Sequence, residues 1–461
     1  MRTAFKQDRT WEKAYVAAVS MIACLGRHTI TGILRTSGQH SHDWTSIYRL
    51  FSRNRIDIDS LWTSICNKVT EMTPADEPIF ASMDDTHVCK TGRKIPGTSW
   101  RRDPLGPHFS TNFIWSSRHL QLSIALPEDS GLSRARAIPI KFIHCPTAKR
   151  PSKKATAEEL REYRRAQNET CISKIGAGEI SLLRQQLDCS ESTKNRTLVV
   201  SVDGGYTNAA TYRNVPHNTV IIGRTRKDAK LFAKPDNSPA LGRRRIYGEE
   251  LQTPEQIRQD DSVSWQSINV FATGKMHEID IKVIENVRWK SAGNQDLTLI
   301  VIRPLSYRLT KKSKLLYRQP VYLLVTPNAL SLPQVLQAYI WRWEIEVSFR
   351  DEKTLLGLGE AQVRTPESVD KVPAFVAATY ALMHLAATKA GITAADIPQP
   401  KWNKPKETDR CSTQQIKTVV REELWGSGIQ SRFGGFVNNK LYDTKPLKRN
   451  WDSAQAAIYA Q

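Results

Sequence analysis

Residues 196–205 read RTLVVSVDGG: Leu198, Val199, Val200 and Val202 fall within five positions, then come Asp203 and two glycines. An apolar run this short, closed by glycine, is the pattern of a strand buried on both faces. Such a strand needs a layer above and below it, which limits the chain to a few layered architectures. The neighbouring segments narrow the choice. PIFASMDD (78–85) is a short apolar strand ending in two carboxylates, and NTVIIGRTR (218–226) is another strand. TNFIWSSRHLQLSIAL (111–126) reads as two strands around a turn at 116–119. KRPSKKATAEELREYRRAQNETCISKI (149–175) is a basic loop followed by a long polar helix. Strand, two strands, helix, strand, short helix and strand in this order predict an α/β domain.

The flanks differ. Residues 10–70 carry helical apolar spacing, with two short helices around the polar turn GQHSHD (38–43); they form either a helix-turn-helix reader of DNA or a plain helical cap. Residues 236–324 hold four strand-like pieces and predict a β-rich insertion, whose part from 301 to 319 has six basic residues and no acidic one. From Ser331, a plausible N-cap, to about Gly359 the chain is predicted helical, and 368–391 is a mostly apolar helix. The tail from Ile397 is Pro- and Lys-rich and holds one further helix, STQQIKTVVREELW.

Composition limits the function classes. Of 461 residues, 67 are Lys or Arg and 46 Asp or Glu, a formal net charge of +21, which points to a polyanionic partner, nucleic acid or an anionic surface. No apolar run approaches the ~18 residues of a membrane span, and MRTAFKQDRTWEK has no signal-peptide core, so the expectation is a cytoplasmic, nucleoid-associated protein. Seven scattered cysteines, none in a CxxC pair, support neither a zinc ribbon nor a disulfide framework. His40 and His42 have no partners that complete a metal site.

The segment YIWRWEIEVSFRDEK (339–353) carries the candidate chemistry. At about 100° per residue, Tyr339, Arg342, Glu346 and Lys353 fall within about 60° of one another, while Glu344, Asp351 and Glu352 point largely away. An ordinary solvated helix with a Glu346–Arg350 pair would show the same pattern. Two other carboxylates, Asp85 and Asp203, sit at strand ends, where side chains of neighbouring strands converge at the edge of an α/β sheet. Three converging carboxylates repel one another unless cations compensate them, and oxygen-only ligation suits Mg2+ or Mn2+.

The same segment matches Tyr-x2-Arg-x3-Glu-x6-Lys at every fixed position. It resembles the signature of DDE transposases of bacterial insertion sequences, the Tyr-Arg-Glu-Lys group of insertion sequence families four and seven-hundred-one. MDDTHVCKTG resembles the first-Asp segment of that family and favours Asp85 over Asp84; VVSVDGGYTN resembles the second, without the Asp-Arg-Glu-Ala-Asp form of some members. The resemblance covers residues 78–390. It implies an RNase H-like (retroviral integrase-like) catalytic core, residues 76–235 and 325–395, interrupted by the β-rich insertion 236–324. A helical DNA-binding region (1–75) would precede it and a mostly helical region (396–461) follow. Asp85, Asp203 and Glu346 would hold two Mg2+ ions, which Mn2+ can replace, and Tyr339, Arg342 and Lys353 would contact DNA phosphates. The implied activity is cut-and-paste transposition by a homodimer on double-stranded DNA, terminal inverted repeats and target alike. Trp343 is expected in the core; Trp265 and Trp289 are insertion aromatics that a flipped base could stack on. A metal-dependent nuclease without strand transfer, or a silent DNA-binding protein on the same fold, are the alternatives.

Overall fold

Helix comes first along the chain, as the apolar spacing predicts: α1 (Asp8–Ala23), α2 (Ile30–Thr36), α3 (Thr45–Ser52) and α4 (Ile58–Met72). Thr29 caps α2 by accepting from the Gly32 amide, and a single 3-10 turn, Gln39–Ser41, separates α2 from α3. The computed structural model describes residues 2–103, 106–107, 109–235, 244–310, 313–394, 397 and 410–425. The tail, apart from 397 and 410–425, therefore lies outside the described residues, as does part of the basic run 301–319.

The strands follow: β1 (Ile79–Cys89), β2 (Ser99–Arg102), β3 (Phe113–Pro127), β4 (Ala135–His144), then α5 (Ala157–Glu169) and α6 (Ile172–Asp188). Next come β5 (Leu198–Val202), α7 (Ala209–Tyr212), β6 (Thr219–Arg224), β7 (Phe232–Ala233) and α8 (Pro254–Gln259). The last group is β8 (Gln266–Ala272), β9 (Lys275–Arg288), β10 (Leu297–Ile302), a small hairpin β11 (Ser306–Tyr307) and β12 (Leu316–Tyr317), and β13 (Val321–Val325). After them run α9 (Leu332–Trp341), α10 (Trp343–Leu355), α11 (Pro366–Lys389) and α12 (Thr413–Trp425).

One mixed sheet of eleven strands organises residues Trp62–Phe349, one of two compact units. Its strand order is β2-β3-β1-β5-β6-β13-β10-β9-β7, with β4 also on β3 and β8 also on β9. Within it, β1 pairs antiparallel with β3 and parallel with β5, and β5 pairs parallel with β6. β5 is buried at every position, as its continuous apolar run predicts. A core of Phe80, Val199, Ile222, Ile281, Leu323 and Trp341 joins the sheet to α9, Phe80 meeting Trp341 edge to face at 5.2 Å.

Two expectations change here. The stretch 111–126 is not a hairpin: β3 runs straight through it, and the second strand is β4, further on. Ser116, Ser117 and His119 resemble turn residues, yet all are buried, their backbone is held in the β1 ladder, and Ser117 Oγ and His119 Nε2 satisfy each other at 3.0 Å. Of the strands in 236–324, β13 pairs antiparallel with β6 and carries β10, β9 and β8 onto the main sheet, while β11 and β12 pair with each other. The helix beginning at Ser331, with a Ser331–Gln334 capping box, breaks at Arg342 into α9 and α10.

The second unit gathers Met1–Leu61 and Arg350–Gln461. Phe51 of α3 packs edge to face on Phe375 of α11 at 5.2 Å. Buried Arg421 of α12 donates to the Ala23 and Cys24 carbonyls (3.1 and 2.9 Å), closing the C-terminal end of α1. Among the described residues no helix is long and apolar enough to cross a membrane. All seven cysteines are free.

Candidate active site

Asp84 and Asp85 are successive residues of β1, so their side chains leave opposite faces of the sheet. The β1–β5 register pairs Ser82 with Ser201 and Met83 with Val202; continued by one step, it sets Asp84 beside Asp203. Their common face is the one covered by α9, where Ser201 Oγ donates to the Ala338 carbonyl at 3.1 Å. The other face carries Met83, packed so closely on α6 that a Cβ at Gly176 would meet its sulfur at 2.8 Å. Asp85 lies on that face too: its Oδ1 accepts from the Tyr206 hydroxyl at 2.8 Å, and His87 Nε2 is 3.9 Å from its Oδ2.

Glu346 stands on the first turn of α10, its side chain about 36% exposed. Arg342, at the break between α9 and α10, links it to the sheet. Its Nη1 lies 3.4 Å from Asp84 Oδ2 and its Nη2 3.3 Å from Glu346 Oε1. The structure thus brings Asp203 and Glu346 together with Asp84, and sets Asp85, the residue expected in this group, on the other face of β1. β1 is buried on both faces, so its sequence holds no polar alternation from which the inward aspartate could be read.

The electrostatics agree with this grouping. Burial pushes the Asp84 carboxyl up to about 7; Arg342 opposes that, and the charges of Asp203 and Asp85 add to it. Glu346 is also raised, by burial first and by Asp203, against the pull of Arg342. Arg342 is held above its ordinary value even though burial disfavours its charge, because Tyr339, Asp84, Asp203 and Glu346 surround it. Crowded carboxylates that cling to protons are the condition that a divalent cation relieves, and the donor set is oxygen only. Among the described residues no three His, Cys, Asp or Glu side chains close up as a ready-made metal cage. In this arrangement a guanidinium supplies the positive charge.

The other predicted residues divide. Tyr339 is partly buried at the end of α9, with the Arg342 guanidinium 5.8 Å from its ring centre, and burial raises its phenol. Lys353 is partly buried in the last turn of α10 and falls in the other compact unit. The outward stripe is not as expected. Asp351 and Glu352 are both buried, and Asp351 accepts from Arg350 (2.9 Å) and from Thr413 Oγ1 (2.5 Å). Trp343, expected in the core, is 59% exposed. Glu346, Asp351 and Glu352 share the unbroken α10, so their angular separation holds; what differs is that Asp351 meets Thr413 of α12 instead of solvent. Just outside the strands, Trp265 lies under Lys282 Nζ (4.6 Å) and Arg303 (5.5 Å), and Trp289 packs edge-on to Tyr212.

A side chain the sequence did not single out ties the two sides of the site. Gln121 of β3 is the register partner of Asp84 and is fully buried. Its Nε2 donates to Ser348 Oγ at 2.9 Å, two residues beyond Glu346.

No curated protein matches the chain. Residues 1–295, from the N-terminal helices through β10's approach and including Asp84 and Asp203, match the model of one protein family. The match stops short of Glu346, which rests on the motif of 339–353 and on the geometry. With nearly two-thirds of its length inside that match, the chain belongs to the DDE superfamily endonucleases, enzymes whose substrate is DNA.

Proposed function

We propose that this chain is a transposase of the Tyr-Arg-Glu-Lys group, with Asp84, Asp203 and Glu346 as its acidic triad. One observation carries the reading: the β1–β5 register sets Asp84 beside Asp203 on the face where Arg342 joins Asp84 to Glu346. The strand order β4-β3-β1-β5-β6, with its first two pairings antiparallel and the next two parallel, supports an RNase H-like core at 76–235 and 325–395.

The triad would hold two Mg2+ ions, or Mn2+, which when bound supply activation of the attacking oxygen and stabilisation of the leaving one. The residues' own work is placement. Asp203 sits just past the fully buried β5 and Asp84 within its neighbour β1, so both are fixed by the sheet; Glu346 is presented by a helix clamped through Gln121. Arg342, no longer needed as counter-charge once cations are present, is free to take a DNA phosphate, with Tyr339 bracing it and Lys353 contacting a phosphate further along. The first chemical step cleaves a phosphodiester at an element end, and the 3′-hydroxyl then attacks target DNA. The N-terminal helices α2 and α3 would read the terminal inverted repeats, one end per subunit of a homodimer.

The test uses DNA bearing the element's own ends, with Mg2+, and compares the natural chain with Glu346→Gln. The expected result is cleavage and joining by the natural chain and at least a ~100-fold loss in the variant. Equal cleavage by both sinks the triad. Nicking without joining favours the second reading, a nuclease without strand transfer, which the family description also fits.

A further inference from the structure

The β1–β2–β3 arm carries aromatic surface that the carboxylate site does not use. Trp100 (57% exposed) and Phe113 (57%) stand on β2 and β3, and Trp115 is half-buried beside them. The register pairs Trp100 with Trp115 and Arg102 with Phe113, so all four share one face of the arm. Arg93, from the β1–β2 connection, lays its guanidinium over both indoles, 4.4 Å from the Trp100 ring centre and 4.8 Å from that of Trp115. The indoles meet edge to face at 5.7 Å, and Trp115 Nε1 donates to the Gly92 carbonyl at 3.1 Å, which anchors the connection. From residue 90 to 118 the sequence has six basic residues and one acidic one, Asp103, which is engaged with Asn112.

Solvent-facing tryptophan with a stacked guanidinium and no balancing carboxylates is poorly explained as packing. Position gives it a direction. On β3, residues 121, 119, 117, 115 and 113 alternate onto one face, and Gln121 is the register partner of Asp84. The strip therefore begins on the face that carries the carboxylates and runs outward along β3, Trp115 standing about 20 Å from Gln121 at ~3.3 Å per residue. A duplex backbone needs cations but no exposed rings; bases with open π-faces need both.

We propose that this strip is a docking surface for an unpaired DNA strand, with bases stacking on Trp100 and Phe113 and phosphates meeting Arg93 and Arg102. It rests on the DNA reading of the carboxylate site only for the strand's course. The experiment removes catalysis with EDTA and measures binding of the full chain to a single-stranded oligonucleotide and to a duplex by fluorescence anisotropy. A second single strand carries 2-aminopurine, whose emission falls on stacking. Trp100→Ala is expected to weaken single-strand binding about tenfold and abolish the 2-aminopurine quench, with duplex affinity within about twofold; Trp100→Phe keeps the quench. An unchanged thermal midpoint excludes misfolding of these exposed-site variants. Single-strand affinity unchanged in Trp100→Ala overturns the proposal, and so does an equal loss for single strand and duplex, which would make the strip a backbone track. Neither outcome depends on metal, so failure here and failure of the triad are read separately.

Discussion

At the residue scale, the proposed triad turns on one step along β1. A shift of one residue in a strand moves a side chain to the other face. Asp84→Asn is therefore expected to lower Mg2+-dependent cleavage at least ~100-fold and Asp85→Asn to leave it within about tenfold, measured on the same DNA; the reverse ranking would return the role to Asp85. The motif favoured Asp85, whereas the member on the face of Asp203 is Asp84; register is fixed by pairing with β5, more than a hundred residues away in sequence. A second residue-scale prediction concerns His28, which is 9% exposed and whose imidazole is lowered to about 4 by burial, with the Lys417 and Arg421 charges adding. Above its ordinary value of 6.5, His28 is neutral in both folded and unfolded chains, and its contribution is intact. As pH falls from 6.5 towards 4 the unfolded chain takes a proton the folded one refuses, so stability is lost across that window, about 2 kcal/mol by pH 5. Urea unfolding should show this decline in the natural chain and a flatter profile in His28→Gln.

At the element scale, the junction of β3 with α10 holds the site's geometry. Gln121 bonds Ser348 and Ser123, and Ser348 Oγ in turn donates to the Ile345 carbonyl at 2.8 Å, one residue before Glu346. Gln121→Leu keeps the bulk and removes the bonds. It is expected to cost about 2 kcal/mol in unfolding free energy, followed by thermal melting, and to raise the Mg2+ concentration for half-maximal cleavage several-fold. A lowered melting point with unchanged Mg2+ dependence would make Gln121 a structural residue only. The elements themselves were largely legible: β1, β5, β6, the N-terminal helices, the Ser331 cap and α11 all follow from apolar spacing and capping chemistry. The failures share a cause. Ser116, Ser117 and His119 look like a turn, and Asp351 and Glu352 like a solvated edge, because local polarity signals exposure; here distant partners such as the β1 ladder and Thr413 take up that polarity inside the protein.

At the scale of the whole molecule, a net charge of +21 sets how DNA is held. Affinity for any duplex should fall on the order of a thousandfold between 50 and 200 mM salt, the behaviour of six or more phosphate contacts, checked by anisotropy titration across salt; a shallow dependence would mean that most of the positive charge lies away from the DNA. Charge and composition gave the class of partner, but no local pattern in 236–324 could reveal that its strands extend the main sheet, since that depends on β13 pairing with β6. That pairing has a consequence for how the protein is made. β13 lies between β6 and β10 in space but follows both in the chain, so the edge of β6 stays open on the ribosome until Val321–Val325 has emerged. An open strand edge invites pairing with other nascent chains, while the helix bearing Glu346 has yet to be translated. A chain cut short before this point would be sticky and would lack the helix that carries Glu346.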